Sequence, residues 1–374
     1  MPDFVIIYRL GIKELWSLAR DPVMLVLITY CFTMSIYVAA TAVPDSLDKV
    51  PIAMVDEDAS PLSARLAAAF YRPRFNAPAH ISLAEMDAGM DAGDYSFVLD
   101  IPPDFQRDVL AGRSPAVQLN VDATRMTQAF VGSAYIQQIA LGEVGDFVQR
   151  YRSSTPPLVD LNLRARYNPN LEQSWFGALS EIINNVTMLA IILTGAALIR
   201  EREHGTIEHL LVMPVTPAEI MLAKVWAMGL VVVVAAGFGL LVVVQGVLRV
   251  PIAGSVRLFL AGTALHLFAA TTLGIFMATL ARSMPQFGML AVLILLPLQM
   301  LSGTFSPRES MPEFVQIVML AAPTTQFVDL GQAILFRGAG LAVVWPQFLA
   351  LTGIGALLFG FSLARFRKTI SELA

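Results

Sequence analysis

Six stretches of this chain are apolar for about the length that a helix needs to cross a bilayer: residues 22–43, 174–199, 220–246, 258–281, 287–304 and 342–364. Pro297 falls inside the fifth stretch and predicts a kink there. Between the fifth and sixth, residues 311–322 and 326–336 are apolar but only about a dozen residues each, too short to cross. They predict re-entrant or interfacial helices within an external hairpin spanning 305–341.

Residues 1–21 read as an amphipathic interfacial helix. Arg9, Lys13, Ser17 and Arg20 recur at helical spacing and share one face, while Phe4, Ile7, Tyr8, Leu15 and Trp16 supply apolar surface. Such a helix lies in the interface plane with its cations near anionic lipid heads; a plain helical extension of the first span is the alternative. Ala40-Thr41-Ala42 resembles a signal-peptidase site, but the run 22–43 exceeds a signal h-region of roughly 7–15 residues, so an uncleaved anchor is expected.

The pattern changes over residues 44–173. Short β-like runs at 52–55, 97–99 and 117–121 alternate with helical stretches near 60–71, 83–90 and 103–110, and a longer helix covers about 125–152 before Thr155-Pro156-Pro157. Alternating strands and helices over this length predict a small α/β domain inserted between the first and second spans.

Composition agrees with the spans. The 374 residues are 56% hydrophobic and 14% charged, with mean hydropathy +0.65, where a soluble domain carries roughly 25% charge. The net charge of −4 gives no reason to expect nucleic acid. The one cysteine, Cys31, lies in an apolar run and excludes both a disulfide framework within the chain and a cysteine metal site. Arg9, Lys13, Arg20, Arg200, Arg202, Lys224, Arg282, Arg365, Arg367 and Lys368 gather on one side of the spans; the other side's short loops hold only Arg249, Arg257, Arg308 and Arg337. By the positive-inside bias both termini, including the tail 365–374, are cytoplasmic and the α/β domain is extracytoplasmic. The expected fold is an α-helical polytopic membrane protein with six transmembrane helices and an inserted α/β extracytoplasmic domain.

The cytoplasmic segment 200–219 carries the chemistry. Glu201, Glu203 and Glu208 face water or a partner, Leu210 and Leu211 bury one side, and Gly205 breaks the helix at a cost of roughly 1 kcal/mol relative to Ala. Pro214 and Pro217 end the short piece beyond Gly205. A short charged element is thereby held at the membrane surface, where it can pass a rigid-body push into the second and third spans. The pattern Glu201-x-Glu203-x-Gly205-Thr206-x-Glu208-x-Leu210-x-x-x-Pro214 resembles the permease subunits of type-2 ABC exporters (the ABC-2 type), and so does Leu301-Ser302-Gly303-Thr304-Phe305-Ser306-Pro307 with Pro323-Thr324 and Arg337-Gly338. The resemblance covers nearly the whole chain and is nearest to drug-exporter-like permeases with a periplasmic insert. It implies that 200–219 is the coupling and gating element that meets an ATPase.

No G-x-x-x-x-G-K-[ST] phosphate loop occurs, so the chain is expected not to be an ATPase and to bind no cofactor; ATP and magnesium would sit on a separate ATP-binding subunit. The resemblance further implies a second permease copy or a sister permease, a periplasmic adaptor (membrane fusion) protein with an outer-membrane channel, and residence in the lipid of a bacterial inner membrane. Inside the spans, Glu181, Asn184, Asn185 and His266 are candidates for a transport path or for interhelical contacts, because polar groups there are costly. His204 and His209 fall on different helical faces and form no H-E-x-x-H, so no metal site is expected. A proton-coupled exporter and a non-transport membrane scaffold are the competing readings; the first would need ionisable groups deep in the bundle, and only Glu181 and His266 are present.

Overall fold

A computed structural model describes residues 3–41, 49–122, 126–151, 173–205, 214–304, 308 and 311–371. The chain divides into two compact units, Met1–Val43 with Ala165–Ala374, and Pro44–Arg164.

The first unit is helical. Its elements are α1 (Phe4–Ala19), α2 (Pro22–Phe32), α3 (Met34–Thr41), α8 (Gln173–Glu203), α9 (Pro217–Phe238, continued as a π-helix over Gly239–Val247), α10 (Val256–Leu280), α11 (Met284–Met300), α12 (Glu313–Leu320), α13 (Pro323–Leu335) and α14 (Leu341–Ser371). Among the described residues five spans are long and apolar enough to cross a membrane: α2 with α3, α8, α9 with its continuation, α10 and α14. The pair α12 and α13 bends by 87° and would make a sixth only if counted as one span.

Two spans differ from the apolar pattern. The stretch 287–304 forms α11, which starts earlier, at Met284, and stops at Met300, followed by a turn. Pro297 lies one turn from its end, and Gly303 takes φ +99°, a left-handed conformation that a helix does not contain. Residues 301–304 are apolar or small, so the pattern ran on through them. The first span is interrupted at Thr33, which takes φ −127° and ψ −79°. No proline or glycine marks that break in the sequence.

The most apolar window of α8 is 89% buried, against 22% for the first span and 17% for α14, so α8 is the central strut and the other two are peripheral. The outward residues of the peripheral spans, among them Val26, Leu349 and Phe361, are large and apolar, which suits a lipid solvent. At the crossing of α8 and α10, Gly195 and Gly274 face one another. A Cβ on Gly274 would stand 2.6 Å from the Ile191 carbonyl oxygen, and one on Gly195 would stand 3.1 Å from the Gly274 carbonyl. Small residues here let two backbones approach, which is how helices associate where no hydrophobic effect separates protein from solvent.

The second unit holds a four-stranded sheet in the order β2-β1-β3-β4, from β1 (Ile52–Asp56), β2 (Ala79–His80), β3 (Phe97–Ile101) and β4 (Gln118–Val121). β1 runs parallel to β2 and β3, and β4 closes antiparallel on β3 with Val98 opposite Asn120. Strand alternation splits the core. Ile52, Met54, Phe97 and Leu99 face α4 (Pro61–Ala69), α6 (Phe105–Leu110) and α7 (Met126–Tyr151); Ala53, Val55 and Val98 pack on Met86 and Met90 of α5 (Leu83–Asp91).

Gly274→Ala should lower the thermal stability of the detergent-solubilised protein by about 1–3 kcal/mol through overpacking. Gly353→Ala, where an added Cβ meets nothing within 4 Å, should leave it unchanged. Equal melting temperatures for both variants would show that the α8–α10 backbones are free to separate.

Candidate functional site

The charged residues at the Glu203 end of α8 are drawn together by the way α1 packs. Asp3 caps α1 by accepting the Val5 N–H. The helix then buries Ile7, Gly11, Glu14 and Leu18, one residue per turn, against α9. Trp226 of α9 lies flat beside Tyr8, with ring centroids 6.0 Å apart, and donates its indole N–H to the Ile7 carbonyl at 3.2 Å. A Cβ on Gly11 would collide with that indole ring. The far side of α1 leaves Arg9, Lys13, Ser17 and Arg20 exposed, on the shared face that their spacing predicts.

Burying that stripe carries a carboxylate inward with it. Glu14 meets Lys224 of α9, whose ammonium lies 2.9 Å from Glu14 Oε1 and 2.7 Å from Glu201 Oε2. Lys13 approaches the other Glu201 oxygen at 2.7 Å. Only 2% of the Lys224 side chain, 7% of Glu14 and 12% of Glu201 reach solvent. Two ammonium groups and two carboxylates therefore cancel in a shared site that is nearly dry except at Lys13. Glu201 is expected from the sequence to face water or a partner; it is instead held inside by two lysines.

The three neighbours of Glu201 are also engaged. Arg200 pairs with Asp21, the cap of α2. Arg202 donates to the carbonyl of Ala281, the C-cap of α10, at 3.0 Å. Glu203 accepts the N–H of Met284, the first residue of α11, at 2.8 Å. The last two contacts satisfy backbone groups that a helix terminus leaves without an intrahelical partner. Gly205 follows with φ +67° and ends α8 in the left-handed conformation that glycine adopts freely.

Of the other expected coupling residues, Thr206, Glu208 and Leu210 lie outside the described residues. Pro214 is described and exposed. Beyond it Thr216 and Glu219 cap α9 reciprocally, with Pro217 at its first position. A second oxygen of Glu219 accepts the Asp3 N–H at 2.7 Å, so the start of α9 also holds the start of α1.

Burial pushes the Glu14 carboxyl above its ordinary range, against the opposing pull of Lys224. Burial acts the same way on Asp21, but there the Met24 N–H and Arg200 outweigh it and hold the carboxyl below its usual value. A cavity of about 310 Å³ opens beside this cluster, lined by Lys13, Glu14, Arg200, Glu201 and His204 together with Leu193, Ala197 and Met228.

The polar residues inside the spans form a separate set nearer the other end of α8. Glu181 accepts from the Ser35 hydroxyl and, at 3.2 Å, from Asn185. Asn185 also donates to the Cys31 carbonyl at 2.8 Å, a group at the broken end of α2. Asn184 accepts from Thr304 at 3.5 Å. His266 on α10 is fully buried, 2.8 Å from the Thr187 hydroxyl, and stacks on Phe327 of α13 with centroids 4.2 Å apart. These four residues each join α8, or α10, to another element, as interhelical contacts do. Among the described residues no group of three or more His, Cys, Asp or Glu could hold a metal ion.

Glu14, Asp21 and Lys224 are the members that sequence reasoning missed. Two signals pointed to them: Glu14 interrupts the buried stripe 7, 11, 14 and 18, and Lys224 is a cation inside an otherwise apolar span. Lys224→Met should destabilise the protein by about 3–5 kcal/mol, because it strands two buried carboxylates. Adding Glu14→Gln and Glu201→Gln should recover most of that loss in thermal unfolding. A triple variant as damaged as the single one would assign the stabilisation to the lysine's packing and not to its charge.

A family model described as ABC-2 family transporter protein matches residues 22–364. Over 368 residues the chain is 62% identical to the inner membrane transport permease YhhJ of Escherichia coli (strain K12), covering 98% of each. It is 27% identical over 364 residues to the probable multidrug ABC transporter permease YbhR of the same strain, covering 96% of this chain and 97% of YbhR. With YbhS, also a probable multidrug ABC transporter permease of that strain, it shares 24% identity over 294 residues, 76% of each. With its apolar helices gathered around α8 and a charged junction at one end of that helix, this chain belongs to the ABC-2 family of transporter proteins.

Proposed function

We propose that this chain is the transmembrane permease subunit of an ATP-binding-cassette exporter, and that it moves an amphiphilic small molecule outward with energy from a separate ATP-binding subunit. The observation that carries the reading is the junction at the end of α8. The segment 206–213, which matches the family's coupling pattern, leaves the helix directly beyond residues that grip several other helices. In this reading that end of the bundle and both chain termini are cytoplasmic, with Arg365, Arg367 and Lys368 on the same side. A motor docked under 206–213 pushes the junction, and the helices above it tilt to close one gate and open the other.

The remaining partners belong to the same reading. Residues 44–173 stand outside the inner membrane, where their α/β unit offers a surface to a periplasmic adaptor that continues to an outer-membrane channel. A second copy of this chain, or a sister permease, supplies the other half of the pathway, and ATP with magnesium stays on the ATP-binding subunit. The drug-like cargo is supported by the names of two relatives, each described as a multidrug permease.

Co-purification tests this directly. The full chain should bring down an ATP-binding subunit whose hydrolysis rises when the two are reconstituted in nanodiscs. Glu208→Gln, and Gln at Glu201 or Glu203, should lower that stimulation without lowering the amount of chain in the membrane. Normal stimulation in all three variants would remove the coupling assignment. Removing residues 45–164 should leave the ATP-binding subunit bound and abolish export; loss of that subunit would move its docking surface into the insert.

A further inference from the structure

The consecutive residues Arg200-Glu201-Arg202-Glu203 each hold a different partner. Arg200 holds Asp21 at the start of the first span. Glu201 holds Lys224 near the start of α9 and Lys13 on α1. Arg202 holds the last carbonyl of α10, and Glu203 holds the first N–H of α11. Successive residues of an α-helix project about 100° apart. Four in a row at the end of a central helix therefore sweep its whole circumference, and here each direction meets another helix, three of them at a terminus.

We propose that this four-residue run is a distributor: a single displacement of the segment beyond it is divided into separate movements of the first span, α1 with α9, α10, and α11. The proposal rests on the reading of the chain as a permease driven through 206–213. It adds Arg200 and Arg202, with Asp21, Glu14 and Lys224, as positioning residues for that coupling.

Three physical points support it. The contacts differ in kind and in partner, since two are ionic and two are to backbone groups at helix termini, and no two of the four residues hold the same element. The contact to α9 is the stiffest, because Lys224, Glu14 and Glu201 are almost dry and leaving any one of these three unpaired is costly. Asp21 and Glu203 are not fully buried, so the contacts to the first span and to α11 can be cut without removing core volume, which would otherwise confound function with stability.

This division predicts selectivity. The closing experiment uses the full chain co-purified with its ATP-binding subunit in nanodiscs, in a Cys31→Ser background. One reporter cysteine is placed at Met300→Cys, at the far end of α11, and another, in a separate preparation, at Tyr37→Cys on α3; both positions are exposed. The rate of maleimide labelling is measured with and without ATP and vanadate. Asp21→Asn keeps a side chain that caps α2 but removes the charge that holds Arg200. It should cut the nucleotide-driven change at residue 37 by about fivefold or more, a loss of the order of 1 kcal/mol of coupling, and spare the change at residue 300. Glu203→Ala should do the reverse. General destabilisation would lower both reporters together in both variants, and that result overturns the distributor, as would nucleotide responses unchanged in both. If the parent chain itself shows no nucleotide response at either reporter while its ATP-binding subunit is bound, the ATP-driven reading fails and the distributor falls with it.

Discussion

An ammonium group with almost no access to water fixes the architecture of this protein. Beyond Glu219 in its first turn, the helix that carries Lys224 has no other charge, and the ammonium is tolerable because carboxylates from two other helices reach it at 2.7 and 2.9 Å. That requirement dictates where α1 goes. Its buried stripe must present Glu14 to Lys224, and Trp226, Gly11 and the Asp3–Glu219 contact hold it in the register that does so. It also dictates how α8 ends, since Glu201 must stay within the bundle and cannot project from it. Helix α1, the central span α8 and its neighbour α9 are thus bound by one neutral group of four charges, and the contacts of Arg200, Arg202 and Glu203 extend the same grip to α2, α10 and α11.

The two ends of α8 use different chemistry, and the difference has consequences for movement. At the Glu203 end the contacts are charged or charge-assisted, hence directional and strong where water is excluded. Further along α8, Glu181, Asn184, Asn185 and Thr187 make neutral or singly charged hydrogen bonds to Ser35, Thr304 and His266. Side-chain hydrogen bonds between membrane helices average only about 0.6 kcal/mol. The charged end is therefore suited to staying rigid while the other end exchanges partners. The break at Thr33, whose freed Cys31 carbonyl Asn185 takes up, and the π-helical turn that begins at Gly239 lie in the same spans and loosen them locally. A lever that is stiff where it is gripped and compliant further out can convert a small displacement into a change of helix tilt.

How much of this was legible in the sequence depended on the range of the interaction. Apolar length found every long span, because burial in lipid is a property of each segment by itself. Short β-like runs found β1, β3 and β4 for the same reason, and missed β2, which has only two residues. The pattern overran α11 because residues 301–304, one leucine followed by small uncharged residues, carry no charge to end the run, while Gly303 has already turned the chain. The break at Thr33 left no mark, since threonine is common in membrane helices and only the donor from Asn185, far along the chain, makes an interruption there tolerable. The assignment of Glu201 as facing water failed on range too. Periodicity describes one helix, whereas the partners of Glu201 lie on α1 and α9, and no local rule connects position 201 to 13.

What the sequence did offer was a conflict, and conflicts are informative. Glu14 on a buried stripe and Lys224 in an apolar span each contradict the segment around them, and each alone would cost several kcal/mol. Two such errors of opposite sign, both near one side of the spans, cancel only if the segments meet. In the structure the requirement that no charge be stranded is met where α1 packs on α9 and Glu14 reaches Lys224. The same requirement sets Glu181 apart. Its described partners are neutral donors, Ser35 and Asn185, so the opposite-charge rule that places α1 gives no second helix to set against it. That asymmetry is why the junction at the Glu203 end defines a geometry, while the polar groups further along α8 hold neighbouring helices together without fixing which of them must stay.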